Sequence, residues 1–375
     1  MSWRAHSGLA VRRMVANYLQ AIGFVMFTLL IIALTIDLSD NMDRIQQRAA
    51  ERETGVMQLL LPYLGFRAID IVTRLLGMAT LIGAGVATLL RFQRLEDVIL
   101  SAAGAPPTLV LSALMMVGIV TGTVQWTFQN WLRPPAVATQ VSLNLGNYGR
   151  WFAHTELGGR WFVSDGLAMR AEVTRGANPE LRNLQIFAGV DDPTLSRIVF
   201  AERADQNTLG NEWVLHGVTL WENDEQSTGN ATQTSEKMRM VLPLNIEGLR
   251  WLDVNGYYIP NKHLRRIAQL DGTRVADDAR TTLAFRNMAF FLPGIFALLG
   301  ASLAMAGRRA RRLAPFRLLI LATVGYVTLV SVRVFWALGI HGRISPYVAA
   351  MLPLAIALAM STYLQLRQAG YLRRR

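Results

Sequence analysis

Apolar positions in this chain follow two rhythms: long uninterrupted runs toward both ends, and a two-residue alternation through the middle. The first run, residues 14–36, follows Arg4, Arg12 and Arg13 and precedes Asp37 and Asp40. It matches the roughly 20 residues needed to cross about 30 Å of hydrocarbon. A secretory signal has a shorter apolar core and a small-residue cleavage site, so a retained span is predicted. Apolar character resumes near Val56, and the pattern predicts a second span over 68–90 and a third over 108–128. Between them, residues 95–103 read as a short amphipathic segment, broken by Gly104, Ala105, Pro106 and Pro107. Three further spans are predicted over 282–305, 316–338 and 346–366.

The stretch 129–278 holds no run able to cross a bilayer. Its alternation predicts strands at 160–164, 168–174, 184–188, 197–203, 212–220 and 236–242. Turn residues punctuate them at Asn178-Pro179, Asp192-Pro193 and 207–211. Many short strands without intervening helices imply an antiparallel sandwich or open barrel. Residues 261–271 are more helical and lead back toward the membrane. The expected organisation is therefore a three-span half (1–128, with a cytoplasmic segment at 91–105), an inserted all-β domain (129–278) and a second three-span half (279–375).

Charge then orients the spans. The net charge is +12, carried almost wholly by arginine, since Lys237 and Lys262 are the only lysines. Arginines cluster at Arg12 and Arg13, at Arg91 and Arg94, at Arg308, Arg309, Arg311, Arg312 and Arg317, and at Arg367, Arg373, Arg374 and Arg375. With six spans, all four clusters fall on one side, as the positive-inside rule requires. Both termini are then cytoplasmic and the β domain extracytoplasmic. The basic residues sit at span ends and not in a patch interleaved with aromatics, which disfavours nucleic acid as a partner. Composition agrees: 52% of residues are hydrophobic and 17% charged, against about 25% charged in soluble domains. Without cysteine, no disulfide or thiolate site is available.

Motif searches for catalysis return nothing: no phosphate-binding loop, no H-E-x-x-H and no G-x-S-x-G. The histidines His6, His154, His216, His263 and His341 are scattered, and Asp191-Asp192 and Asp277-Asp278 read as turn chemistry. No catalytic residue, metal ligand or cofactor is expected. The segment between spans two and three carries more. Arg94, Leu95, Glu96, Val98, Ile99 and Gly104 describe a short helix with a charged head, an apolar face and a glycine stop. It can lie on a membrane surface, or offer its apolar face to a partner's groove while Glu96 pairs with a partner arginine. Arg74 and Arg333 fall within spans, where a charge costs about 2.5–3.5 kcal/mol on insertion scales. Each can hold an anionic headgroup, snorkel to the surface, or pair with Asp70 or Asp37.

Several motifs, in order, resemble one family. Glu96, an apolar stretch and Ala102-Ala103-Gly104 resemble the coupling segment of the LptF/LptG lipopolysaccharide-export permeases. Gly159-Arg160-Trp161-Phe162-Val163-Ser164-Asp165-Gly166 resembles the strand that opens the LptG-type periplasmic domain. The run 195–204, then Trp213-Val214-Leu215, is similar to its paired strands, and Gly342-Arg343-Ile344-Ser345-Pro346 to the turn before its last span. The resemblance, closest to LptG, implies a six-span helical permease with a β-jellyroll-like periplasmic domain in the bacterial inner membrane. It implies a second related permease subunit, a cytoplasmic ABC ATPase dimer, a single-span partner of LptC type and a bridge protein of LptA type. Lipopolysaccharide would enter near spans one and five, and ATP hydrolysis would belong to the partner. Arg94, Leu95, Glu96, Val98, Ile99 and Gly104 would dock on the ATPase. Where members often place a basic residue at the outer end of span one, this chain has Asp37; with Arg74 and Arg333 it forms the expected lipid-contact set. Gly77 stands where a proline is common. A permease for another envelope lipid, and a membrane-anchored interaction protein without transport, remain as alternatives.

Overall fold

A computed structural model describes residues 3–106, 108–143, 156–164, 166–174, 179–206, 212–223, 231–269, 274–309 and 312–368. Asp165, Asn178, the turn expected at 207–211, Arg311 and the arginines at 373–375 lie outside the described residues. Contacts divide the chain into two units, 1–146 with 277–375, and 147–276.

In the first unit, α1 (Trp3–Glu51) and α2 (Val56–Gln93) form an antiparallel hairpin. At 49 and 38 residues they run about 73 and 57 Å, well beyond the thickness of a bilayer core. Ile45 and Ala49 of α1 meet Leu59 and Tyr63 of α2 near the tip, in an apolar cluster of their own. The predicted cytoplasmic segment is α3 (Glu96–Ala102). The third predicted span is α4 (Thr108–Thr127), but the helical path does not stop at residue 128. It widens into a π-helix, Phe128–Leu132, and continues as α5 (Arg133–Ser142). Pro134 and Pro135 fit there because the first turn of a helix has no use for their missing N–H groups.

The second unit is a six-stranded antiparallel sheet: β1 (Glu156–Ser164), β2 (Leu167–Thr174), β3 (Glu180–Ala188), β4 (Arg197–Gln206), β5 (Glu212–Glu222) and β6 (Ala231–Val241). Every strand pairs with its sequence neighbour, a meander. Alternation places Met169, Ala171, Val173, Ile186, Val199 and Leu215 on one face, where Leu242, Leu244 and Leu249 complete the core. The last of these belongs to α6 (Ile246–Arg250), which packs with α7 (Asn261–Ile267).

The chain returns through α8 (Arg274–Met288) and α9 (Phe291–Ala306), then α10 (Pro315–Ile340) and α11 (Pro346–Gln368). The fourth predicted span is thus two helices, bent by 60° at a short break. By length and apolarity five described helices can cross a membrane, or six with this bent pair as one span. Lipid tails are as apolar as leucine, so close backbone contact replaces the hydrophobic effect between spans. Small residues supply it: a Cβ on Gly300 of α9 would stand 2.0 Å from the Leu81 carbonyl of α2, and one on Gly118 of α4 would stand 3.0 Å from Gly294. Tyr18, Ala84, Leu114 and Ala297 bring α1, α2, α4 and α9 into one buried cluster.

Candidate functional site

Two charge clusters lie along α2, one in its first half and one at its C-terminal end. The first arises from a spacing. Tyr63, Arg67, Asp70 and Arg74 recur at intervals of four, three and four residues, which puts all of them on one helical face. Across the hairpin Asp37 meets Arg67 at 2.6 Å and accepts a hydrogen bond from the Tyr63 hydroxyl. Asn41 donates to the Asp37 carbonyl at 2.8 Å. Asp70 sits between three guanidinium groups, Arg133 at 2.8 Å, Arg74 at 3.1 Å and Arg67 at 3.2 Å. The Asp70 and Arg133 side chains are 0% and 1% exposed, whereas Arg74 is 39% exposed. Of the three guanidinium groups Arg74 is the accessible arm, since Arg67 and Arg133 are largely withdrawn from the surface.

Secondary structure explains how Arg133 reaches this cluster. The π-helix inserts an extra residue into the turn just before it and so rotates the following positions. Arg133 then opens α5 directed at Asp70. About two turns earlier, Gln125 donates to the Thr73 carbonyl at 2.9 Å, fastening α4 to α2 beside the same aspartate.

At the other end of α2, Arg91 is buried beneath α1 and α3. Its Nη1 donates to the Tyr18 hydroxyl at 3.2 Å, its guanidinium lies 5.7 Å from the Tyr18 ring centre, and its Nε donates to Glu96 at 3.3 Å. The Tyr18 and Thr88 hydroxyls are 3.1 Å apart. Leu95 takes the left-handed conformation (φ +55°), which sharpens the turn from α2 into α3. The outcome is a sorted helix. Glu96 faces Arg91, Leu100 packs on the cluster of Met14 and Leu109, and Leu95, Val98 and Ile99 are all more than half exposed. Arg94 is exposed beside them, and Gly104 (φ +74°) turns the chain toward α4.

The expected site residues thus separate into three places. Asp37 and Arg74 join one cluster through Arg67 and Asp70. The residues of the 91–105 segment share the other end, with Glu96 turned to its own chain's Arg91. Arg333 stands apart, exposed on α10 and without an ion pair among the described residues. Sequence reasoning missed Arg67 and Arg133 as cluster members. The four-three-four spacing in α2 was the available signal for Arg67, and nothing local signalled Arg133. No group of three His, Cys, Asp or Glu side chains suited to a metal occurs among the described residues.

Set against known families, the chain matches the model for the lipopolysaccharide export system permease LptF/LptG over residues 12–367. The chain belongs to the LptF/LptG permease family. That span includes both charge clusters, the sheet and all or nearly all of each described membrane-length helix. Membership makes it a multi-pass inner-membrane transport permease for lipopolysaccharide. No curated protein matches it closely enough to refine the choice between LptF and LptG.

Proposed function

We propose that this chain is one permease half of an ABC-type exporter, most like LptG, that extracts lipopolysaccharide from the outer leaflet of the inner membrane. A second related permease completes the transmembrane part, a cytoplasmic ATPase dimer drives it, and partners of LptC and LptA type receive the lipid. Both termini are cytoplasmic and the sheet is periplasmic in this reading, with the Asp70 cluster in the outer half of α2 and Arg91 at its inner end. The domain limits follow from that orientation: a coupling segment at 91–105 and a jellyroll-like outlet within 129–278.

The observation that carries the proposal is α3. Its outward face of Leu95, Val98 and Ile99 is apolar and unpartnered among the described residues, while Glu96 and Leu100 hold its other face to the spans. A helix so anchored transmits a push from a cytoplasmic partner directly to α2 and α1. Exposed apolar side chains on α1 (Phe24, Phe27) and α10 (Phe316, Leu319) suit lipid and a second subunit. Arg74 and Arg333 are the cations able to meet headgroup phosphates. Asp37 enters that site by holding Arg67.

The test is co-purification with the ATPase. Val98→Asp with Ile99→Asp removes ATPase association while the permease stays folded. Glu96→Arg sets like charges against Arg91 and uncouples hydrolysis from lipid release. Unchanged association and release in both variants rejects the reading. A different cargo is the second reading, favoured by Asp37 where members often carry a base. Mass spectrometry of the co-purified lipid separates the two: an envelope lipid other than lipopolysaccharide supports the second.

A further inference from the structure

The alternation of the sheet slips by one residue along a line crossing three strands. Core positions step from Leu181 to Leu184 in β3, from Ala201 to Ala204 in β4 and from Leu215 to Val218 in β5. Strict alternation would step by two. Asn183 and Gly217 at the slip have φ of +48° and +61°. The β1–β2 register shifts between Leu157 and Arg160, and the β2–β3 register between Arg170 and Glu172. Irregularities aligned across neighbouring strands bend a sheet. On the face away from the core, the bend opens a cleft of about 460 Å3. That volume lies within the usual range for small-ligand sites, about 300–1,000 Å3.

The cleft is organised. Cross-strand register sets Trp161, Arg170, Gln185, Phe200 and Thr219 in one row from β1 to β5. Phe200, 44% exposed, lines the cleft. Trp161, 59% exposed and stacked on Phe187 with ring centres 6.0 Å apart, stands outside that lining, three strands from Phe200 or about 14 Å at the usual strand spacing. Glu172, Asn183 and Glu202 line the cleft along the slip. Two glycines clear the floor: a Cβ on Gly159 would stand 3.0 Å from the Arg170 Nε, and one on Gly217 would stand 2.9 Å from the Glu202 side chain. Just beyond, charges are paired. Arg203 meets Asp205 at 2.9 Å and Glu180 at 3.2 Å, contacts that raise its pKa. Within the cleft, Arg170, Glu172, Glu202, Asn183 and Gln185 make no ion pair or side-chain hydrogen bond among the described residues.

We propose that this cleft binds an oligosaccharide. Sugar hydroxyls donate to carboxylates and accept from guanidinium and amide groups, so one such set serves both halves of each hydroxyl. The apolar faces of sugar rings stack on exposed aromatic side chains, and two platforms 14 Å apart (about three strand spacings) grip separate rings. Two carboxylates against one guanidinium repel a phosphate. The cleft lies mid-sheet, where the backbone is already paired and a peptide cannot add as a strand. The site goes beyond the transport reading. The shared chemistry is a neutral or amino-sugar glycan, carried either by the lipopolysaccharide or by the cell wall.

The test uses the full chain in detergent and two probes: lipid-free, dephosphorylated core oligosaccharide released from lipopolysaccharide, and a soluble cell-wall glycan fragment. Saturable binding of either is expected, about tenfold weaker in Phe200→Ala and in Gln185→Ala, the loss of one good contact. The preferred probe identifies the source. No saturable binding of either probe overturns the proposal. So does binding indifferent to both cleft variants when circular dichroism shows an intact sheet, or capture of inorganic phosphate abolished by Arg170→Ala.

Discussion

Asp70 holds three arginines from two helices with one carboxylate, and it does so without exposure to water. Removing that charge leaves the guanidinium groups facing one another in a buried setting. Asp70→Asn is expected to cost about 3–5 kcal/mol, the usual loss when one partner of a buried pair goes. Arg74→Gln, at a position 39% exposed, costs about 1 kcal/mol or less. Thermal unfolding of the detergent-solubilised protein should rank the two in that order, and equal losses would show that Asp70 does not organise the cluster. The sequence made Asp37, Asp70 and Arg74 visible as charges near span ends, but their pairing depends on how far α1 and α2 extend beyond the predicted spans. Arg67 is joined to Asp37 across the hairpin, a contact that local patterning does not encode. Arg133 was hidden by the expected end of the third span at residue 128, since a π-helix leaves no periodic signature in five residues.

At the scale of elements, apolar periodicity located the strands well because one face of the sheet is buried and the other solvated. All six predicted strands overlap β1 to β6, each of which extends its prediction by one to five residues at one end, while β6 stops one residue short of the predicted end at 242. The aligned slip escaped notice, since a three-residue step between core positions is too small to break a strand assignment. Helix contacts were less legible: only the fold shows which glycine meets which backbone. Gly300→Val forces a branched side chain into the Leu81 carbonyl and should destabilise the α2–α9 contact by about 1–3 kcal/mol or more. Gly65→Ala, where an added Cβ meets nothing within 4 Å, is the control and should not destabilise, since Ala favours a helix interior over Gly by up to about 1 kcal/mol. For α3 the sequence showed an amphipathic segment, and the structure sorted it: Glu96 inward, Leu95, Val98 and Ile99 outward.

Across the whole molecule, each of the two units has a hydrophobic core of its own. The sheet core includes its closing segment at Leu242, Leu244 and Leu249, so residues 147–276 expressed alone should unfold as one cooperative, β-rich domain. A fragment that stays unfolded would show that the sheet depends on the rest of the chain. The family match covers both units, and the first carries two charge clusters along α2, around Asp70 in its first half and Arg91 at its C-terminal end. In the proposed mechanism, the Arg91 end receives a push through α3 and the Asp70 end meets the lipid. The most direct measurement is ATP-dependent transfer of lipopolysaccharide from proteoliposomes holding this chain, the second permease and the ATPase to a soluble bridge protein of LptA type. Transfer that requires ATP and is lost in the Val98→Asp, Ile99→Asp double variant is the predicted result. ATP hydrolysis without transfer by the unaltered chain, or transfer undiminished in the double variant, would contradict it.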